Sequence, residues 1–384
     1  VVLARRAGAG EQPNQATVLR ARRLAAGLPV LDLSDSNPTR HGLGTPDALA
    51  AIAQAAPRAG AYEPDPRGAL VARTALAATR GGSPEDYWLA ASTSELYGWL
   101  LTLLADPGDL VAVPAPGYPL VEPLARFSGV GTLTYPVHYL HPYGWSLDLA
   151  RLDAVVEDPR VRVLVLVSPG NPTGAYLQPA EVAHVVDLCA RTGTALVIDE
   201  VFAPYPLDGA PSSQAGTTGC LTFVLDGLSK LLCAPQLKLG WVRVSGPAAQ
   251  LDEVRRGLDQ VADAALSVGA PVALALPTLL DLAPQVVAAT GDRLRANLAA
   301  ARRVLDEPYR VRRCDGGWSL VVDVPRYVSD DELTAALLDA GLWVHPGWFY
   351  DLVSPGALVL SLLPRPSAFE DGCRRLRSAV DALA

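Results

Sequence analysis

The chain has 384 residues, 50% of them hydrophobic, which supplies apolar surface for two cores and argues against a disordered chain. Its formal charge of −8, with 40 acidic against 32 basic side chains and no long cationic run, excludes nucleic acid as the main partner, because phosphate binding needs clustered cations. Five scattered cysteines without a C-x-x-C pair signal neither a disulfide framework nor a zinc site, so no metal and a reducing cytoplasm are the expectations.

In chain order, the first forty-odd residues are arginine-rich and turn extended near 29–33, a segment expected to lie against the C-terminal part. From about 92 to 244, apolar strand-like runs alternate with helical stretches, the pattern of an α/β domain built on a mostly parallel sheet. Three runs, Val161–Val167, 195–198 and 222–225, are short, continuous and β-branched, as strands buried on both faces are. An apolar stretch near 271–282 is interrupted by Pro277, so no membrane span is expected. Beyond about 284 come a helix at 291–305, a strand at 319–324 and a helix at 330–340. Strands near 342–344 and 358–362 and a last helix from Ala368 complete a smaller α+β unit. The expected division is 1–45 as an N-terminal segment, 46–285 as a large ligand-binding domain and 286–384 as a small domain.

Ligands of open α/β sheets gather at the carboxyl ends of the strands, so the residues after the three runs carry the argument. The first ends in Ser168-Pro169-Gly170-Asn171-Pro172-Thr173-Gly174, either a plain strand-to-helix turn or a place where the Asn171 amide points a donor at a ligand. The second ends in Asp199-Glu200. A carboxylate there is a helix cap or, if buried, needs a cation or a donor. The third runs into Gly227-Leu228-Ser229-Lys230, and an ordinary lysine in that position would be solvated. Lys230 and Lys238 are, however, the sole lysines of the chain, and only a primary amine can form an imine with an aldehyde. Upstream, Ser92, Thr93 and Ser94 precede an apolar helix, where hydroxyls cap free amides and the same amides can bind a phosphate.

Together with Tyr62 in Y-x-P-x-x-G and Tyr118 in P-x-P-G-Y-P, these segments resemble the aspartate-aminotransferase superfamily, the fold-type-I pyridoxal-phosphate enzymes, in order and spacing along nearly the whole chain. The resemblance implies a large domain with a mostly parallel, seven-stranded type of sheet between helices and a smaller α+β domain. It also implies pyridoxal 5'-phosphate bound to Lys230 as a Schiff base, with Lys230 and Asp199 catalytic. Asp199 would pair with the pyridine nitrogen, Asn171 would donate to the phenolic oxygen and Tyr118 would stack on the ring. Ser92, Thr93, Ser229 and Lys238 would hold the phosphate, and Tyr62 would reach a neighbouring site, which implies a homodimer.

Several positions depart from the family pattern. Phe202 stands where D-E-x-Y has its tyrosine, which removes one donor to the phenolic oxygen and raises the pH at which the bound chromophore loses its proton. Lys238 replaces an arginine at the phosphate, and Ser92 replaces a glycine. Val359, in Leu358-Val359-Leu360-Ser361, occupies the place of the arginine that grips the substrate carboxylate. Arg365 and Arg40 are the candidates to replace it, and Asn37, Trp318 and the run Trp348-Phe349-Tyr350 fall where relatives line the substrate, core packing being the alternative for the aromatic residues. The expected activity is amino transfer between an amino acid or amine and a 2-oxo acid. The alternative, raised by Val359, is a lyase or decarboxylating enzyme of the same fold acting on a specialised metabolite.

Overall fold

A computed structural model of the chain describes residues 4–8 and 12–384. Its centre is an eight-stranded sheet, one strand wider than expected. In spatial order the strands are Tyr87–Ala90, Gly240–Ser245, Thr222–Gly227, Ala195–Asp199, Val161–Val167, Leu110–Ala115, Gly131–Leu140 and Gly144–Leu147. The five from Thr222–Gly227 to Gly131–Leu140 run parallel. The two beyond Thr222–Gly227 and the outer hairpin strand Gly144–Leu147 pair antiparallel. The three continuous apolar runs are neighbours at the middle, and the alternation of their side chains explains why none of them alternates in polarity. Val163, Val165 and Val197 enter the core beneath helices Thr93–Leu104 and Ala248–Ala265, while Leu164, Leu166 and Ile198 enter the core beneath Leu149–Val156 and Pro179–Thr192.

The C-terminal part forms a second, four-stranded antiparallel sheet, in the order Arg310–Val311, Ser319–Asp323, Ala357–Ser361 and His345–Pro346. The N-terminal segment joins it: Leu31–Asp32 pairs in parallel with Leu342–Trp343, and the Ser361 amide donates to the Leu33 carbonyl at 2.6 Å. This threading carries Ser34 and Ser36 to the space between the two sheets. From the large sheet, the hairpin Gly131–Leu140/Gly144–Leu147 reaches across to meet the small one. The buried Arg312 guanidinium bonds Asp323 and lies 5.0 Å from the Tyr139 ring centre and 5.1 Å from that of Trp145.

The helix expected at 291–305 begins twenty-one residues earlier and runs unbroken from Ala270 to Val304, through Pro277 and Pro284. The proline breaks were overridden because the apolar stripe on both sides of them is buried. Leu276, Leu279, Leu294 and Ala301 are fully enclosed against helices Pro46–Ala55, Leu70–Arg80 and Pro366–Asp381. At 35 residues the helix is about 50 Å long and apolar enough to cross a bilayer, but here it is a strut that ties the two sheets together. The boundary expected at 285/286 falls inside it.

One polar residue on the strut fixes the wall of the ligand space. Asn297 is fully buried, and its Nδ2 donates to the carbonyls of Leu362 at 2.8 Å and Pro364 at 2.7 Å, just past the strand Ala357–Ser361. Replacing Asn297 with leucine leaves two buried carbonyls without donors and should lower stability by about 2–4 kcal/mol, read as an earlier denaturant midpoint. An unchanged midpoint would show that those carbonyls have another source of donors.

Candidate active site

Because Val161–Val167, Ala195–Asp199 and Thr222–Gly227 are adjacent and parallel, their carboxyl ends open on one place. A cavity of about 590 Å³ lies there, between the large sheet and the small one. Asn171, Asp199 and Lys230, named from three separate sequence segments, all line it.

Lys230 sits in the single helical turn Leu228–Leu231 that follows the third strand. Its Nζ lies 4.9 Å from the Trp318 ring centre and 5.2 Å from that of Phe202, and it makes no ion pair among the described residues. Burial pushes its pKa below the usual lysine value, with Asp199 and Cys233 opposing the shift. The result is an amine with an enlarged neutral fraction, the form that attacks a carbonyl. Its backbone is fastened by Tyr205, whose hydroxyl donates to the Lys230 carbonyl at 2.6 Å.

Asp199 ends its strand facing the same cavity. Burial raises its carboxyl to about 6, against donors from the Val201 amide at 3.1 Å and the Tyr97 hydroxyl at 3.3 Å. The neighbouring Asp226 raises it further, and Lys230 lowers it. Such a carboxylate is under-compensated, so a cation or N–H donor entering the cavity would stabilise it. Glu200 points elsewhere, accepting from Ser213 at 2.6 Å and the Gln214 amide at 2.7 Å, and pins the following loop.

The Asn171 side chain is oriented by Ser319 of the small sheet, whose hydroxyl donates to Oδ1 at 3.1 Å, and its Nδ2 has no partner among the described residues. The turn that presents it depends on Gly174, which has φ +69°, and a Cβ there would come within 2.6 Å of Cys314 Sγ. At the other end of the cavity is the start of helix Thr93–Leu104. Ser92 caps it by accepting from the Glu95 amide at 3.2 Å, and the amides of Thr93 and Ser94 are left without intrahelical acceptors. Ser229 and Lys238 line the same cavity. Gly240 lies against this turn so closely that a Cβ would be 3.2 Å from the Thr93 nitrogen. Capping and anion binding, posed as alternatives for this segment, are compatible: the Ser92 oxygen caps while two amides stay free.

Tyr118 lines the cavity and is half exposed, and Trp318 is a buried wall packed on Phe202 and Tyr205. Other expected residues lie outside it. Tyr62 is 82% exposed on a separate surface hollow with Leu70, Val71 and Leu266. Asn37 caps the turn Pro38–His41, its Oδ1 taken by Thr39. Arg365 is exposed at the start of the last helix, and Arg40 is exposed beside Asp35. No arginine is among the described residues that line the cavity. Tyr350, from the aromatic run 348–350, lines the cavity as well, whereas Tyr97, Ser319 and His345 were not anticipated. Tyr97 had a signal, a polar tip inside an apolar helix, whereas the others belong to an element whose register the sequence does not disclose.

This donor set fits pyridoxal phosphate on chemical grounds. It combines a desolvated amine, an under-compensated carboxylate, an unpaired amide and, at the far end, two free helix amides with a lysine, as a dianion requires.

Comparisons with known proteins agree with the fold and the motifs. An alanine aminotransferase of Pyrococcus furiosus superimposes with a TM-score of 0.90 over 99% of this chain and 100% of that one, at 21% identity. The alanine aminotransferase of Mycobacterium tuberculosis is 34% identical over 275 residues, 68% of this chain and 62% of that protein. A valine–pyruvate aminotransferase of the same organism is 28% identical over 75% of this chain and 74% of its own length. The chain thus spans less than two thirds of the length of the first curated relatives it matches. The sequence profile of aminotransferase class I and II matches residues 29–368, and the chain belongs to that pyridoxal-phosphate-dependent family.

Proposed function

We propose that the protein is an aminotransferase that moves an amino group between an amino acid and a 2-oxo acid, with Lys230 holding the cofactor and serving as the base. One observation carries this reading: a desolvated lysine amine shares a cavity with a buried carboxylate it does not pair with and with an asparagine amide that lacks a partner. Several relatives are named for alanine or pyruvate, which supports that pair as one exchange partner. Similarity to proteins named as aminotransferases favours transfer over the lyase reading that Val359 raised.

When bound, pyridoxal phosphate supplies an aldehyde that condenses with amines and an electron-poor ring that accepts the electron pair left at the substrate Cα. The chain's own residues do the rest. Ser92, Thr93, Ser229 and Lys238 would hold the phosphate, Lys238 as a point charge without an arginine's fork. Asp199, kept dry and ionised by Tyr97 and the Val201 amide, would keep the pyridine nitrogen protonated. Asn171 would donate to the ring oxygen, and Tyr118 would cover one face. Lys230, freed when substrate binds, would take the Cα proton, and its lowered pKa enlarges the neutral fraction able to accept it. Tyr62, exposed on its own surface, would serve the site of a second copy in a homodimer.

Lys230→Ala should lower kcat by at least about a thousandfold, and borohydride should fix the cofactor to the wild type on the peptide containing Lys230. A label on any other peptide would remove this reading. Tyr97→Phe tests the carboxylate. The hydroxyl stabilises the ionised form, so without it the Asp199 pKa climbs from about 6, and the site loses its negative charge at higher pH. Affinity for pyridoxal phosphate should then fall at pH values where the wild type still binds well, and identical pH profiles would contradict the role. In Phe202→Tyr an added phenol should lower the midpoint of the chromophore's spectral titration by roughly one unit; an unmoved midpoint would dismiss residue 202 as its determinant.

A further inference from the structure

If the site receives amino and 2-oxo acids, as proposed above, each ligand brings a carboxylate that must meet some group on the wall, because an unpaired charge in a partly dry cavity is strongly disfavoured. Among the described lining residues only Lys230, Lys238 and His345 can be cationic. Lys230 is committed to the cofactor, and Lys238 to its phosphate. That leaves one candidate, and its position is informative.

His345 lies on the short edge strand of the small sheet, directly opposite Val359, while Ser361 lies opposite Ser319. Directly opposed residues of antiparallel strands project to the same face, and so do residues two apart on one strand. The imidazole, Val359, Ser361 and Ser319 therefore share one face, and all four line the cavity. The ring is held in place. Its Nδ1 is 2.9 Å from the Tyr350 hydroxyl, and ring centroids of Phe349 and Trp343 lie 5.1 Å and 6.0 Å away. Its Nε2 has no hydrogen-bond partner among the described residues. Beside it, Ser361 Oγ accepts from the Leu363 amide at 3.2 Å and keeps its own O–H free to donate.

We infer that His345, oriented by Tyr350, reads the substrate carboxylate in a site that has no guanidinium to do so, and that it takes up a proton on binding it.

The charges around the ring make the proton uptake follow. Burial holds the free imidazole below the usual histidine pKa, with Asp32 raising it and Arg20 lowering it. From the strand Leu31–Asp32, Asp32 is already paired with Arg20 of helix Gln15–Ala25 at 2.7 Å, so that couple presents no free charge. The turn Gly347–Tyr350 contributes Tyr350, whose phenol burial keeps protonated, with the Tyr118 phenol nearby, and the facing strand contributes the uncharged Val359. Of the charges that act on the ring, a bound carboxylate is then the one without another partner, and it raises the His345 pKa. The sign follows from linkage: the ligated pKa exceeds the free one. Carboxylate affinity is therefore full below the free value, falls as pH rises between the two, by up to about tenfold per unit, and is flat above the ligated value. An arginine would hold the same group at any of these pH values.

Titration calorimetry of the cofactor-loaded protein with 3-phenylpropionate, a carboxylate without an amine, tests this between about pH 5.5 and 8.5 in buffers of different ionisation heat. In the wild type, Kd should weaken with rising pH, with up to one proton taken up per ligand. 3-Phenylpropionamide should show neither effect. His345→Gln should lose the slope and the proton uptake while keeping the cofactor absorbance. Val359→Arg, which places a guanidinium beside the ring, should bind the carboxylate more tightly and with a flattened slope. A wild type without pH dependence, a slope that survives in His345→Gln, or an unchanged slope in Val359→Arg overturns the inference. A wild type that takes up no pyridoxal phosphate at Lys230 overturns the functional reading and this inference with it, whereas a loaded protein with no slope overturns the inference alone.

Discussion

A buried amine and a buried carboxylate share one cavity without pairing, and most of the architecture around the site follows from keeping them so. Had Lys230 and Asp199 closed into a salt bridge, the amine would be locked as an ammonium and the carboxylate would be spent. Instead each is held by its own anchors. The lysine backbone is tied to the Tyr205 hydroxyl and its head is walled by Phe202 and Trp318. The carboxylate is tied to Tyr97 and the Val201 amide. The two groups are carried by adjacent parallel strands, Asp199 at the end of one and Lys230 in the helical turn after the other.

The second sheet supplies what the first cannot. A parallel sheet presents strand ends on one side only, so the opposite wall of the cavity must come from elsewhere in the chain. The small antiparallel sheet provides it, held to the long helix by Asn297 and to the outer hairpin by the stacked Arg312. Ser319 illustrates the connection: it belongs to the small sheet, yet it orients the amide of Asn171 at the end of a large-sheet strand. The N-terminal segment closes the same gap by threading beside Trp343 and Ser361, which brings Ser34 and Ser36 to the wall.

The cation inventory of that wall sets the protein's character. With Val359 rather than a guanidinium at its centre, and the two arginines that sequence suggested as substitutes lying exposed elsewhere, the wall is neutral at rest. Trp343, His345, Phe349 and Tyr350 form an aromatic cluster, of which His345 and Tyr350 line the cavity.

The sequence by itself determined the three central strands, the fold class and the three groups at the ends of those strands. Continuous β-branched runs can be satisfied only in a doubly covered sheet, and the residues after them are placed by local chain geometry. It misread the long helix, because Pro277 is a strong local breaker and only the burial of Leu276 and Leu279 outweighs it. Only the tertiary structure decided which other residues line the cavity. Tyr97 reaches Asp199 across 102 positions, Ser319 reaches Asn171 across 148, and His345 meets Val359 through a strand register. No local pattern encodes such a register for two-residue strands, and a shift of one position would turn His345 to the other face.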